Sequence, residues 1–494
     1  MTAGTTTAPE AIHGIIDWLT TQPAGDVVDE ISALSRHFAL LSDPAITSAQ
    51  YHRCIELFHT RALRLSTEYR ARLREQGRPL NEPLREASAV LSAALLRIAQ
   101  GFERVLEDAQ QGSIRTLPRL NDTVAARALR LEAENFLIVQ QAGLEAPADF
   151  WSCAHRIFAL SRLEADAQQP PGSPTESALA HYKRLLSLGT LDTPGLAPAE
   201  LDWAAEYLQR ASNQLHLQEE RPTTPDTTWY WLDPERGGEP NAWVRCEPPR
   251  EGRLLYFSTA VLARRAAEAL TRHDAGRNRV ELFTEENGRD VQPAALLSRL
   301  RQRWTAPARR ELPRREQHYS VDACVGLGAI WKTLRHGSSD EVSRWEVLNE
   351  SPGGFSIMQL RSLAAGVTAG TAIALRREPN EDWSICVVRW LRSDAPGRVE
   401  IGLQIVSQGA IPVQVGFRQP ERRVVLTEAL VLPVLPALRQ HQAILAPAGT
   451  YTSRRFALLS DVDRLYVAQG RLLSLDMQTS NIELFQFEID PYPI

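Results

Sequence analysis

The strongest constraint on the fold is a change of hydrophobic period part-way along the chain. From about Pro9 to Gln218 apolar residues recur every three or four positions. Tyr51, Ile55, Phe58, Ala62, Leu65 and Tyr69 form one stripe, and Leu84, Ala87, Leu91, Leu95, Ile98, Phe102 and Val105 form another. This spacing keeps one face of a helix apolar, so it predicts two long amphipathic helices, with Pro83 tolerated in the first turn of the second. Further helices are expected at Leu120 to Gln141, Ala146 to Asp166, Glu176 to Leu188 and Pro198 to Leu217. Residues 1–218 therefore read as an all-helical N-terminal half whose stripes bury one another in a bundle.

The run Glu219-Glu220-Arg221-Pro222-Thr223-Thr224-Pro225-Asp226 ends that pattern. Residues 227–305 read as a small α/β domain. Its strands are expected at Trp229 to Leu232, Leu254 to Phe257 and Val280 to Phe283, with a helix capped by Ser258 and running to His273 and another from Pro293 to Trp304. Period-two alternation then takes over. Residues 306–408 hold an extended apolar segment from Tyr319 to Leu334, a strand marked by Val342, Trp345 and Val347, and a meander at Phe355 to Leu360, Thr371 to Leu375, Trp383 to Leu391 and Val399 to Val406. Gly326-Leu327-Gly328 falls inside the extended segment, where it reads as a bulge or a point of close packing.

Residues 409–494 form a second β-rich region. Its strands are expected at Val413 to Phe417, Arg423 to Leu426, Ala443 to Leu445, Arg455 to Leu459, Arg464 to Ala468, Arg471 to Asp476 and Asn481 to Glu488, with Gln469-Gly470 as a turn. The fold class is thus α+β and multidomain.

Composition removes several classes of function. A net charge of −5 argues against a general nucleic-acid binder. No stretch of 18 apolar residues could span a bilayer and Met1-Thr2-Ala3-Gly4-Thr5 has no basic signal-peptide region, so a cytoplasmic location is expected. Five cysteines with no Cys-x-x-Cys support neither a disulfide framework nor a zinc site. His52 and His59 stand about 10 Å apart along one helix, too far to share a metal unaided. Phosphate-loop, nucleophile-elbow and zinc-protease signatures are absent, so no catalytic residue and no metal ligand is assigned and the chain is not read as an enzyme.

One region carries chemistry suited to a ligand. Seven arginines lie between Arg299 and Arg315, ending in Arg309, Arg310, Arg314 and Arg315; after them comes Asn349-Glu350-Ser351-Pro352-Gly353-Gly354. A guanidinium is planar and permanently charged, and can fork onto phosphate or guanine O6/N7 or stack on a base. Asn349 and Ser351 are short donors and acceptors at a strand end, and Gly353 and Gly354 permit a tight turn or close backbone approach.

Arg310-x-x-x-Arg314 followed by Asn349-x-Ser351-x-x-Gly354 resembles the paired signature of PilZ domains, and Val387-Val388-Arg389-Trp390 with Gly397 to Leu403 resembles that family's last two strands. The resemblance covers about a fifth of the chain. It implies a bacterial antiparallel β-barrel over 306–408 that binds cyclic di-GMP at its mouth through Arg309, Arg310, Arg314, Arg315, Asn349, Ser351, Gly353 and Gly354, with no other cofactor. It also implies a signalling effector whose helical half meets a protein partner, with motility, biofilm or secretion as output. Residues 409–494 could form a second barrel packed on the first.

The polar stretch Arg335 to Asp340 makes the interval from Arg314 to Asn349 longer than this pattern expects. That interval favours an alternative, a PilZ-like adaptor that no longer binds nucleotide. A further alternative is a single-stranded nucleic-acid binder with Trp304, Trp331 and Trp345 as stacking platforms.

Overall fold

The computed structural model describes residues 8–21, 25–111, 118–162, 177–274, 291–307, 315–337, 340–359, 367–395, 398–418, 424–436, 439–451, 453–461 and 465–490. The first of these build helices α1 (Ala8–Thr20), α2 (Val27–Ala39), α3 (Ser48–Arg74), α4 (Glu82–Gln110), α5 (Pro118–Ala142), α6 (Phe150–Arg162), α7 (Ala178–Gly189) and α8 (Pro198–Ala211). The two long stripes become α3 and α4. Thr47 caps α3 in a reciprocal capping box with Gln50, and Asn81 caps α4 just before its Pro83. Phe58, Leu65 and Tyr69 of α3 and Leu91, Leu95 and Phe102 of α4 are buried in one core.

The next segment has β1 (Trp229–Leu232), β2 (Asn241–Ala242) and β3 (Leu255–Ser258) in a three-stranded sheet, followed by α9 (Ala260–Asp274) and α10 (Pro293–Thr305). The Ser258 hydroxyl accepts from the Ala260 amide as α9 begins. The expected strand at Val280 to Phe283 lies outside the described residues. Tyr230, Phe257, Leu262, Leu296 and Trp304 join the core of the helical domain instead of forming one of their own.

Two closed antiparallel barrels follow. The first holds β4 (Arg315–Val325), β5 (Val342–Ser351), β6 (Gly354–Gln359), β7 (Ala372–Arg376), β8 (Ser384–Ala395) and β9 (Arg398–Gln408), in the order β4-β5-β6-β9-β8-β7. The second holds β10 (Ile411–Arg418), β11 (Val424–Leu432), β12 (Ala443–Pro447), β13 (Arg455–Ser460), β14 (Tyr466–Gln478) and β15 (Ile482–Ile489), in the order β10-β11-β12-β15-β14-β13. Counted from the first strand of each, both orders run 1-2-3-6-5-4. The second barrel repeats the topology of the first.

Two expectations need correction. The apolar stretch Tyr319 to Leu334 is not extended throughout: β4 ends at Val325, Gly326 turns the chain with φ 94°, and α11 (Leu327–His336) runs between β4 and β5. A positive φ is open to glycine at little cost, so Gly326 starts a helix and does not bulge a strand. Likewise Gln469-Gly470 is no turn, because β14 is continuous from Tyr466 to Gln478. Gly470 is needed there for space: a Cβ on it would lie 2.3 Å from the Phe456 ring.

The barrels share a core. In β7, Ile373 and Leu375 fill the first barrel, while Ala372 and Ala374 face its neighbour; in β8, Cys386 and Val388 face in and Ile385 and Val387 face out. The second barrel mirrors this, with Val431 and Ile444 inside and Leu430, Leu432 and Leu445 in the shared layer. Helix α11 inserts Ile330 and Trp331 into that layer, and the Trp331 indole N–H donates to the Val413 carbonyl at 2.8 Å. Arg335 of α11 forks onto Asp461.

The helical domain docks on the first barrel through Arg78. Its backbone forms an antiparallel bridge with Val367, at 3.1 and 3.0 Å. Its guanidinium donates to the carbonyls of Leu391 (3.3 Å), Gln141 (3.0 Å) and Gln140. Arg85 donates to the Ser393 carbonyl at 2.7 Å nearby.

Candidate functional site

The β5–β6 hairpin is the centre of the candidate site. Strand β5 runs through Asn349 and Ser351, Pro352 and Gly353 make the turn, and β6 starts at Gly354. Strand β4 begins beside it, with Arg315 opposite Glu350 and Glu316 opposite Asn349. The arginine-rich lead-in thus enters the barrel alongside the hairpin. Arg315 is exposed at that entry, whereas Arg309, Arg310 and Arg314 lie outside the described residues. Two of the run's earlier arginines are engaged elsewhere: Arg299 pairs with Glu200, and Arg303 with Asp192 at 2.7 Å.

A bulge decides which way the motif faces. The β5–β6 register shifts between Val347 and Asn349. Trp345 and Val347 point into the barrel core, and regular alternation would send Asn349 in after them. The extra residue instead aligns Asn349 with Ser356 and Glu350 with Phe355, which packs against that core. Asn349 and Ser351 therefore share the outer face, just below the rim and not in the mouth. Gly353 is exposed in the turn, where its carbonyl accepts from the Ile405 amide at 3.1 Å.

Gly354 serves close approach. A Cβ there would stand 1.9 Å from the Leu403 carbonyl oxygen of β9, so the hairpin abuts its neighbour at backbone distance. Gly354→Ala is expected to lower stability by about 2 kcal/mol through overpacking, measured by urea unfolding; a loss below about 0.5 kcal/mol would contradict that role.

The Asn349 amide oxygen is buried with no hydrogen-bond partner among the described residues. Buried polar atoms of folded proteins are nearly always satisfied, which sets this acceptor apart from its neighbours on the hairpin. The Ser351 hydroxyl makes only a 3.3 Å contact to the Gly354 carbonyl.

Across the outer face, Asn349 of β5 aligns with Ser356 of β6, Ser356 with Gly402 of β9, and Gly402 with Trp390 of β8. A Cβ on Gly402 would fall 1.9 Å from the Trp390 ring nitrogen, so the indole lies flat over that glycine. Two strand spacings, about 10 Å, separate Asn349 from Gly402. Arg392 sits over the same indole at 5.5 Å. On the inner side of the rim, the Tyr319 hydroxyl donates to Glu350 at 2.8 Å, and Arg377 stacks over the Tyr319 ring at 4.5 Å. Burial, and next the Glu350 carboxylate that accepts its proton, push the Tyr319 hydroxyl up to about 12.

Trp390, Tyr319, Glu350, Arg377 and Arg392 were not singled out as site residues by sequence reasoning. The signal that brings them in is strand register, which depends on the bulge.

The three tryptophans offered as stacking platforms do not serve as such. Trp304, Trp331 and Trp345 are 0, 6 and 1% exposed. His59 is a core residue, edge-on to Phe102, and burial followed by the charges of Arg127 and Arg130 pushes it down to about 4.

Comparison with known proteins bears on the helical region and on the first barrel. Residues 332–412 match the sequence model described as the cyclic-di-GMP receptor FimW, middle PilZ domain. The chain is a PilZ-domain protein. Residues 13–223 match the model for the N-terminal domain of the same receptor, so the helical region accompanies the PilZ domain there as well. The arginine arm lies between the two matched segments. A curated relative, the cyclic-di-GMP receptor FimW of Pseudomonas aeruginosa, is 29% identical over 102 residues, which is 20% of this chain and 17% of that protein. No solved structure matches the chain. The longer interval between the arm and the hairpin of this PilZ domain has a structural origin, because α11 occupies it.

Proposed function

We propose that this protein is a cytoplasmic cyclic di-GMP-binding effector, and not an enzyme, whose ligand lies on the outer face of the first barrel and is clamped by the arginine arm. The observation that carries this reading is the unpartnered Asn349 amide oxygen on the hairpin beside which the arm enters. Asn349 and Ser351 hold one guanine edge. Arg310, Arg314 and Arg315 neutralise the two phosphates, with Arg309 and Gly353 at the margin. The arm joins α10 of the helical domain to β4, so a ligand held by it biases how the helical half meets a protein partner. Motility, biofilm and secretion are the outputs that fit such a device.

The matched receptor models support the ligand class, and the presence of α11 in the long interval weakens the case for an adaptor without ligand. The test is isothermal titration of the full chain with cyclic di-GMP, with GTP as control. Arg314→Ala is expected to weaken binding by about 1.5 to 3 kcal/mol, roughly 10- to 150-fold, through loss of a charge-assisted fork. Ser351→Ala should also weaken it, and Arg454→Ala, exposed on the second barrel, should leave it unchanged. No heat and no thermal stabilisation at excess ligand would sink the reading and leave an adaptor.

A further inference from the structure

The helical domain contains a polar cavity of about 350 Å³, walled by α3, α5, α7 and α8. This is within the size range of small-ligand sites, yet its lining is charged. Arg70 and Arg74 come from α3, Arg130 and Glu134 from α5, Arg184 from α7, and Asp202 and Glu206 from α8. Four guanidiniums face three carboxylates.

The pairing is uneven. Asp202 takes Arg70 at 3.0 Å, Arg74 at 3.4 Å and the Gln141 amide at 2.9 Å. Glu134 takes Arg70 at 3.3 Å. Arg184 has no such anchor: it is only 8% exposed, and its Nε is buried without a hydrogen-bond partner among the described residues. A buried guanidinium ordinarily forks onto a carboxylate, since leaving it uncompensated costs several kcal/mol. Here it borders open volume, with Arg130 exposed on the same wall.

The surroundings are electropositive. Burial pulls Arg184 below its usual range, Glu134 offsets part of that, and Arg70 and Arg130 add to it. Burial, then Arg184 and Arg130, hold neighbouring His181 down at about 4. An oxyanion entering the cavity would meet a desolvated, pre-oriented guanidinium and lose little to reorganisation.

We propose that this cavity is a second ligand site, which takes a small phosphate ester with its phosphate on Arg184 and Arg130. The wall carboxylates Glu134 and Glu206 select for ligand hydroxyl or amino donors, as a sugar phosphate or a mononucleotide carries. The site is independent of the barrel's ligand, and its test does not depend on that reading.

The experiment is thermal shift and isothermal titration of the full chain with AMP and with glucose 6-phosphate at constant ionic strength, with adenosine and glucose as neutral controls. Saturable binding of one ester and not of its neutral counterpart is expected, and which ester binds identifies the source of the phosphate. Arg184→Gln should weaken that binding at least about tenfold by removing a charge-assisted fork, and Arg130→Gln should weaken it several-fold. Cyclic di-GMP titration should be the same in both variants as in the parent. Should Arg184→Gln fail to fold, Arg130→Gln at an exposed position decides. Stabilisation by neither ester beyond that of potassium chloride, or parental affinity in the folded variants, overturns the proposal.

Discussion

Trp331→Ala is expected to destabilise the protein by about 3 to 5 kcal/mol, the range for emptying a large aromatic site in a packed core. The indole is 6% exposed in the layer between the barrels, surrounded by residues of both, and its N–H satisfies the Val413 carbonyl. Truncation would leave a cavity and an orphaned buried acceptor together. Because the layer belongs to both barrels, the loss should appear in both at once. Hydrogen exchange would show protection falling in β7 and β8 and in β11 and β12 alike. A loss under about 1 kcal/mol, or one confined to a single barrel, would mean that the barrels are folding units in mere contact.

Arg78→Ala should cost about 3 kcal/mol, because it strands several buried carbonyls at the join between the helical domain and the first barrel. Burial holds this guanidinium down at about 10, and it meets neutral carbonyls where a carboxylate is more usual. Its role is therefore geometric: one planar fork collects the Leu391 carbonyl from the barrel and the Gln140 and Gln141 carbonyls from α5. Arg78→Lys keeps the charge but loses the fork, and should recover only a minor part of the stability. Urea unfolding of the two variants checks this. Near-parental stability of Arg78→Ala, or full rescue by lysine, would contradict it.

Much of this architecture was legible in the sequence, for reasons that can be stated residue by residue. The helices α3 and α4 followed from stripes whose period admits one solution, and the β5–β6 hairpin from alternation closed by Pro352-Gly353. What stayed hidden depends on neighbours far along the chain. The run Leu327 to Leu334 is apolar enough for a strand, and only its docking between two barrels makes it α11. Gly470 has the look of a turn because nothing local reveals that the Phe456 ring needs its missing Cβ. The candidate site divides the same way. Arg315, Asn349, Ser351 and Gly354 were marked by residue type and spacing, whereas Trp390 joined them only through register, which the bulge after Val347 resets. One clue was present and unused. Ala372 to Leu375, Ile385 to Val388 and Ala443 to Ala446 are unbroken apolar runs, and a barrel strand with a wet outer face would alternate.

Helix α11 turns a spacing into a measurement. In this chain the interval between the first and second strands of the barrel holds the helix whose Ile330 and Trp331 seat the neighbouring barrel. Searches that demand a fixed distance between the arginine pair and the hairpin would pass over tandem barrels of this kind. Searches that let the interval grow, and ask whether it holds an amphipathic helix of about three turns bearing a tryptophan, would collect chains built like this one.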